Sequence, residues 1–124
     1  NPPWRSDVTQ LDLVARLHAT EPDPGVFVVS AEGPLDARFA SELRDTLIPL
    51  AGADGAVVIL DVIDAHGIDR ATLAVVSDAA HHMTRRGGRL QVVSRSAILH
   101  ELIEECGLID IVDLVPSLAE AMRR

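Results

Sequence analysis

Five histidines, one cysteine and nineteen carboxylates are the side chains with which this 124-residue chain could do chemistry. Asp78 and His82 stand four apart, as do His100 and Glu104, so each pair shares one helix face. Each pair offers two ligands, short of the three or four protein donors of a zinc site. His81 and His82 are neighbours, pointing about 100° apart around a helix, and do not converge on one ion. These side chains read as solvated helix faces, and no metal is expected. Asp64 and His66 form an acid–base pair in a loop, without the nucleophile that a covalent mechanism needs beside its base. That pair reads as a surface loop. Cys106 falls on the apolar stripe of a helix and reads as a core thiol. Neither G-x-x-x-x-G-K nor G-x-G-x-x-G occurs. Gly87-Gly88 follows a helix and precedes a strand, the order of a C-cap turn. We therefore expect no catalytic residue, no cofactor and no enzyme.

One stretch breaks a local rule. In "GIDRATLAVV", residues 67–76, Asp69 opens a helix and Arg70 follows it directly. The carboxylate suits a helix start, where free backbone N–H groups need an acceptor. The guanidinium opposes the helix dipole, at roughly 0.3–1 kcal/mol for an exposed site. On the residues alone Arg70 reads as a solvated side chain paired with Asp64 or Asp69.

The elements that must position these residues follow from periodicity. Residues 1–8 read as a flexible leader around Trp4, and 9–124 as a single domain. "TQLDLVARLHA" alternates, with Leu11, Leu13, Ala15 and Leu17 on one side, as a half-buried strand does. "TEPDPG" is a turn, and "VFVVSAEG" a second strand antiparallel to the first. Phe39, Leu43 and Leu47 then recur every four residues, the mark of an amphipathic helix, with Asp36 as N-cap and Gly52 as stop. "AVVILDV" is a wholly apolar strand, so central. A helix from about Ile68 to Arg86 carries Leu73, Val76, Ala80 and Met83 on one stripe. A strand at "GGRLQVVS" follows, then a helix with Leu99, Leu102, Ile103 and Cys106 inward. "LIDIVDLV" is extended, and "PSLAEAMRR" is helical. Strands alternating with helices predict an α/β fold: a four- to five-stranded mixed sheet with about four helices.

Composition narrows the partners. The net charge is −8, which excludes the basic footprint of a nucleic-acid binder and disfavours an anionic membrane surface. Trp4, Phe27 and Phe39 are the only aromatics, too few for a stacking platform. No apolar run approaches the ~20 residues of a membrane span, and the single cysteine excludes an internal disulfide; a cytoplasmic protein is expected.

Two segments carry a family resemblance. "VVSAEGPLDARFASELRDTL" resembles the opening of the STAS domain, the family of bacterial anti-sigma factor antagonists: an apolar strand, Gly-x-Leu-Asp, then a helix. Gly33, Leu35 and Asp36 match the typed positions. "AVVILDVIDAHGIDRATLAVV" is similar to the family's central signature, with Asp61 as the strand-end Asp, Asp69 as the signature Asp and Leu73 as the signature Leu. The similarity runs from about Leu11 to Met122.

The resemblance implies a STAS fold and a non-enzymatic protein-binding role, in which the domain docks an anti-sigma factor of serine-kinase type and frees a sigma factor. It implies a partner-binding surface at Asp36, Asp69, Arg70, Ala71 and Thr72. In phosphorylated members the residue after the signature Asp is the serine or threonine that accepts phosphate. Here that position is Arg70, so no phosphorylation is expected, and two readings stay open: a chain locked in the unphosphorylated state whose Arg70 makes a bidentate bond to a carboxylate on the partner, or a domain whose partner never phosphorylates it, with Arg70 a solvated side chain. The family leaves other roles open: a stress-signalling scaffold, a subunit bound to a transporter ATPase, or an anion sensor at the helix end. A homodimer also stays open.

Overall fold

The apolar run predicted to be central forms the middle strand of a five-stranded sheet. The computed structural model describes residues 16–35, 37–67 and 69–124. Strands β1 (Arg16–Asp23), β2 (Val26–Pro34), β3 (Val57–His66), β4 (Arg89–Val93) and β5 (Val112–Val115) lie side by side in chain order. β1 and β2 pair antiparallel, and every other pairing is parallel. Helices α1 (Ala37–Ala51), α2 (Arg70–Arg85) and α3 (Ala97–Glu105) connect the parallel strands, and α4 (Leu118–Arg123) follows β5. The predicted leader, the inward positions Leu11, Leu13 and Ala15, and Asp36 and Ile68 lie outside the described residues.

Because the strand order always advances the same way, right-handed crossovers must place all three connecting helices on one face. They do. Phe39, Leu43 and Leu47 of α1, Leu73, Val76 and Met83 of α2, and Leu99 and Ile103 of α3 share one core with Val58, Leu60, Leu90 and Val92. The four-residue spacing read in α1 and the stripe read in α2 are thus the buried faces. The opposite face carries a smaller cluster of Val28, Ile59, Val93 and Val115, closed by Ala121 of α4.

That smaller face contains an unpaired amide. Gln91, in register with Ile59 and Asp113, is fully buried, and neither its Nε2 nor its Oε1 has a hydrogen-bond partner among the described residues. Burying an amide without a hydrogen bond costs about 1–3 kcal/mol on mutational scales. Gln91→Met keeps the volume and removes the polar atoms. We expect it to stabilise the fold by about 1–2 kcal/mol, read as a higher urea midpoint at unchanged slope. A lower midpoint would show that the amide is bonded after all.

Four local expectations are corrected. β1 runs through the supposed turn to Asp23, leaving only Pro24-Gly25 between the strands; Pro22 is tolerated because β1 is an edge strand. β3 does not stop at Val62 but continues to His66, so Asp64 and His66 sit on a strand end rather than in a loop. α2 begins at Arg70, with Asp69 as its N-cap. Cys106 is exposed, not a core thiol: α3 ends at Glu105, Cys106 is its C-cap, and the helical period no longer applies there. The expected turn at Gly87-Gly88 is observed. Gly88 N–H donates to Met83 O at 2.7 Å and Gly87 N–H to Thr84 O at 3.3 Å, with Gly87 at φ +75°, a Schellman closure of α2.

Candidate functional site

The site begins with an irregularity in β3. Ser30 pairs with Asp61 and Glu32 with Asp64, so β3 holds one residue more than β2 across this interval. That is a β-bulge, a device that re-aims side chains at sheet ends. Val62 stays buried in the main core, while Ile63 turns out to 37% exposure. Asp61, the matched strand-end Asp, accepts the Ile63 N–H at 3.1 Å and so satisfies a donor that the bulge removes from the ladder. Beyond the bulge, Gly33 pairs with Ala65 and Pro34 with His66, and Leu35 N–H donates to His66 O at 3.1 Å. The Gly33–Leu35 segment and the approach to α2 are thereby tied side by side.

At the head of α2 the neighbouring residues have different fates. Asp69 takes an extended conformation, φ −113° and ψ 174°, and its Oδ1 accepts Thr72 N–H at 2.8 Å. The carboxylate occupies the positive end of the helix dipole. Arg70 and Ala71 are exposed. Among the described residues Arg70 makes no hydrogen bond and no ion pair, so the expected alternative of a pair with Asp64 or Asp69 is not what the structure holds. Thr72 is 2% exposed, its hydroxyl is buried without a hydrogen-bond partner among the described residues, and it lines a small apolar cavity with Leu35, Phe39 and Leu73. The cationic group therefore faces outward and the hydroxyl inward. Asp36, the remaining residue named for this surface, is outside the described residues.

A cleft of about 430 Å³ opens beside this helix head, between the ends of β3 and β4. Its floor is Leu35, Val62 and Leu99, its mouth Ile63 and Ile98, and its long polar side chains are His66 and Arg95. The sequence reading named neither Ile63, Ile98 nor Arg95 as functional. Ile98 sits in the first turn of α3 at 69% exposure, off the stripe formed by Leu99 and Ile103. That misplaced isoleucine was the available signal.

The histidine pairs behave as solvated faces in part. His81 and His82 are exposed; His82 Nδ1 lies 3.3 Å from Arg85, and Asp78 pairs with Arg44 at 3.3 Å. His100 is half-buried, with its Nε2 enclosed and without a hydrogen-bond partner among the described residues. Among the described residues no three His, Cys, Asp or Glu side chains gather as metal ligands, and no helix is long and apolar enough to cross a membrane.

Comparison with known proteins agrees with this geometry. A family model described as the STAS domain matches residues 19–121. Among solved structures, an anti-sigma factor antagonist from Mycobacterium paratuberculosis superposes with a TM-score of 0.75 at 21% identity, covering 89% of this chain and 92% of that one. The Bacillus cell-fate determinant SpoIIAA in its phosphorylated form gives 0.72 at 16% identity, covering 88% and 98%. An anti-sigma-factor antagonist (STAS) domain protein from Planctomyces limnophilus gives 0.68 at 15% identity, covering 86% and 95%. At these identities the likeness establishes the fold. A comparison with curated protein sequences found no match.

Proposed function

The chain belongs to the STAS domain family, and on that premise we propose that it is an anti-sigma factor antagonist whose binding is insensitive to phosphorylation at the head of α2. It acts by docking, not by catalysis: it captures an anti-sigma factor of serine-kinase type in the cytoplasm and so releases a sigma factor. The observation that carries this reading is the state of Arg70, exposed and without a hydrogen bond or ion pair among the described residues, at the position that the family resemblance matches to the phosphate-accepting hydroxyl. A phosphate would add about −1.5 to −2 charges there and disrupt a docked interface by repulsion and desolvation. A guanidinium takes no phosphate, and its planar fork suits a carboxylate on the partner. The nearest hydroxyl, on Thr72, is enclosed. The fold shared with antagonists of other organisms supports the same reading.

An anion sensor at this helix is less well supported, because Asp69 already fills the end of α2 with a carboxylate. Scaffold and transporter roles have no observation in their favour.

Phosphotransfer tests the proposal. Incubated with ATP and the serine-kinase anti-sigma factor that it captures, the wild-type chain should keep its mass, while Arg70→Ser should gain one phosphate. Phosphate on wild-type Thr72 or Ser77 would overturn the phosphorylation-blind reading.

A further inference from the structure

We propose that the cleft between the ends of β3 and β4 is a second contact surface for the anti-sigma factor, receiving an apolar side chain flanked by a carboxylate. This rests on the partner-binding reading above and extends it beyond the head of α2.

Hydrophobic exposure is the first ground. Of the five large hydrophobic side chains exposed among the described residues, two, Ile63 and Ile98, stand at the mouth of this one cleft. Neither is there by default of packing. Ile63 is turned out by the bulge that Asp61 stabilises, and Ile98 stands on the first turn of α3 beside buried Leu99. Beneath them Leu35, Val62 and Leu99 form an apolar floor, each less than a tenth exposed.

Charge is the second ground. The chain carries nineteen acidic residues and a net charge of −8, yet among the described residues no carboxylate lines the cleft; its cationic side chain is Arg95, with the His66 imidazole also in the lining. Arg95 is anchored through Nε to Pro116 O at 3.1 Å, and its two terminal nitrogens have no partner among the described residues. A carboxylate could thus meet a held, forked donor without crossing like charge. The start of α3 is not itself the receptor: Ser96 caps it by accepting Leu99 N–H at 3.2 Å, and Ser94 Oγ accepts Ser96 N–H at 3.0 Å.

Continuity is the third. Gly67 lines the cleft three residues before Arg70, and His66 joins Leu35 through its carbonyl, so cleft and helix head form one face. A partner whose carboxylate engages Arg70 would reach Ile63 and Ile98 with the same surface.

The test titrates the anti-sigma factor captured by the wild-type chain against four variants: Arg70→Glu, Ile98→Asp, Arg95→Glu and the conservative Ile98→Leu. Removing an apolar anchor from a desolvated pocket typically weakens binding by about tenfold or more. We expect that from Ile98→Asp, a several-fold loss from Arg95→Glu and near-wild-type affinity from Ile98→Leu. Ile98 is mostly exposed, so its variants should keep the wild-type urea midpoint, and Arg95→Glu carries the test if one does not. If Arg70→Glu weakens binding while Ile98→Asp and Arg95→Glu do not, the cleft falls and the antagonist reading stands. If none of the variants matters, both fall. If Ile98→Asp changes only the sedimentation mass of the chain alone, the cleft holds a second copy and the inference is overturned. Displacement of a bound small organic acid with no loss of partner affinity would overturn it equally.

Discussion

Gly88→Ala is expected to lower the unfolding free energy by about 2–3 kcal/mol, although it adds a single methyl group. Gly88 ends the closing turn of α2 and leads into β4. Its N–H is held by Met83 O at 2.7 Å, and the next residue, Arg89, donates to Ala56 O at 2.9 Å. A Cβ built on Gly88 would collide with the Ala56 carbonyl oxygen, and would stand 3.2 Å from Ala56 N and 3.4 Å from its carbonyl carbon. All three are backbone atoms, so no side chain can rotate away. Relief requires β4 to move off β3 or the closing turn of α2 to open, and either breaks hydrogen bonds that a domain stable by only 5–15 kcal/mol cannot easily lose. Gly87→Ala provides the comparison. Gly87 has a positive φ but open space around its Cβ position, so only the backbone preference is lost, about 1 kcal/mol. Urea unfolding of both variants decides the matter. A midpoint for Gly88→Ala equal to or above that of Gly87→Ala would contradict the close-approach account.

The pair of glycines shows how far the sequence could be read. Their order after a helix and before a strand sufficed to predict a C-cap turn, because the Schellman pattern is local. That Gly88 also touches Ala56 depends on two strands meeting from different parts of the chain, and nothing local records it. The same division holds elsewhere. The middle strand and the amphipathic faces of α1 and α2 were legible, since the identity of Val58, Leu60, Phe39, Leu43 and Leu73 reports burial directly. The length of β3 was not. Asp64 and His66 look like loop residues, and only the bulge explains how a strand can carry them. Cys106 failed for a related reason: a helical stripe was extended one residue past the helix end, where the chain turns away.

The candidate site was legible at the level of the backbone. Asp69 was read as the start of a helix and is its N-cap. Arg70 was singled out because it opposes the dipole, and it is exposed, with no hydrogen bond or ion pair among the described residues. What the sequence could not supply was the direction of neighbouring side chains. Thr72, named with Arg70, Ala71 and Asp69, turns inward, while Ile63 and Ile98, which no motif marks, turn outward. Which way each points follows from the bulge and from where α2 and α3 begin.

Arg70→Glu is the second large expected effect. It exchanges an outward cation for an anion at the head of α2, close to the carboxylate of Asp69. Fold stability should change little, because Arg70 is exposed and makes no hydrogen bond or ion pair among the described residues that the substitution removes. Binding should change greatly. A bidentate arginine–carboxylate bond is lost and like charges are set face to face, together worth about 2–3 kcal/mol, a complex about 30- to 150-fold weaker. Arg85→Glu is the matched control: it makes the same change of charge at the opposite end of α2, on a residue that is also exposed. General repulsion between an acidic chain and its partner would weaken both variants alike and would fade with added salt.

The most direct measurement is therefore a calorimetric titration of the captured serine-kinase anti-sigma factor with the wild-type chain, Arg70→Glu and Arg85→Glu, repeated after incubation with ATP. The account predicts a wild-type affinity that ATP leaves unchanged, a loss of at least thirtyfold in Arg70→Glu, and near-wild-type binding in Arg85→Glu. Equal affinities for all three proteins, or a wild-type complex that dissociates once ATP is added, would contradict it.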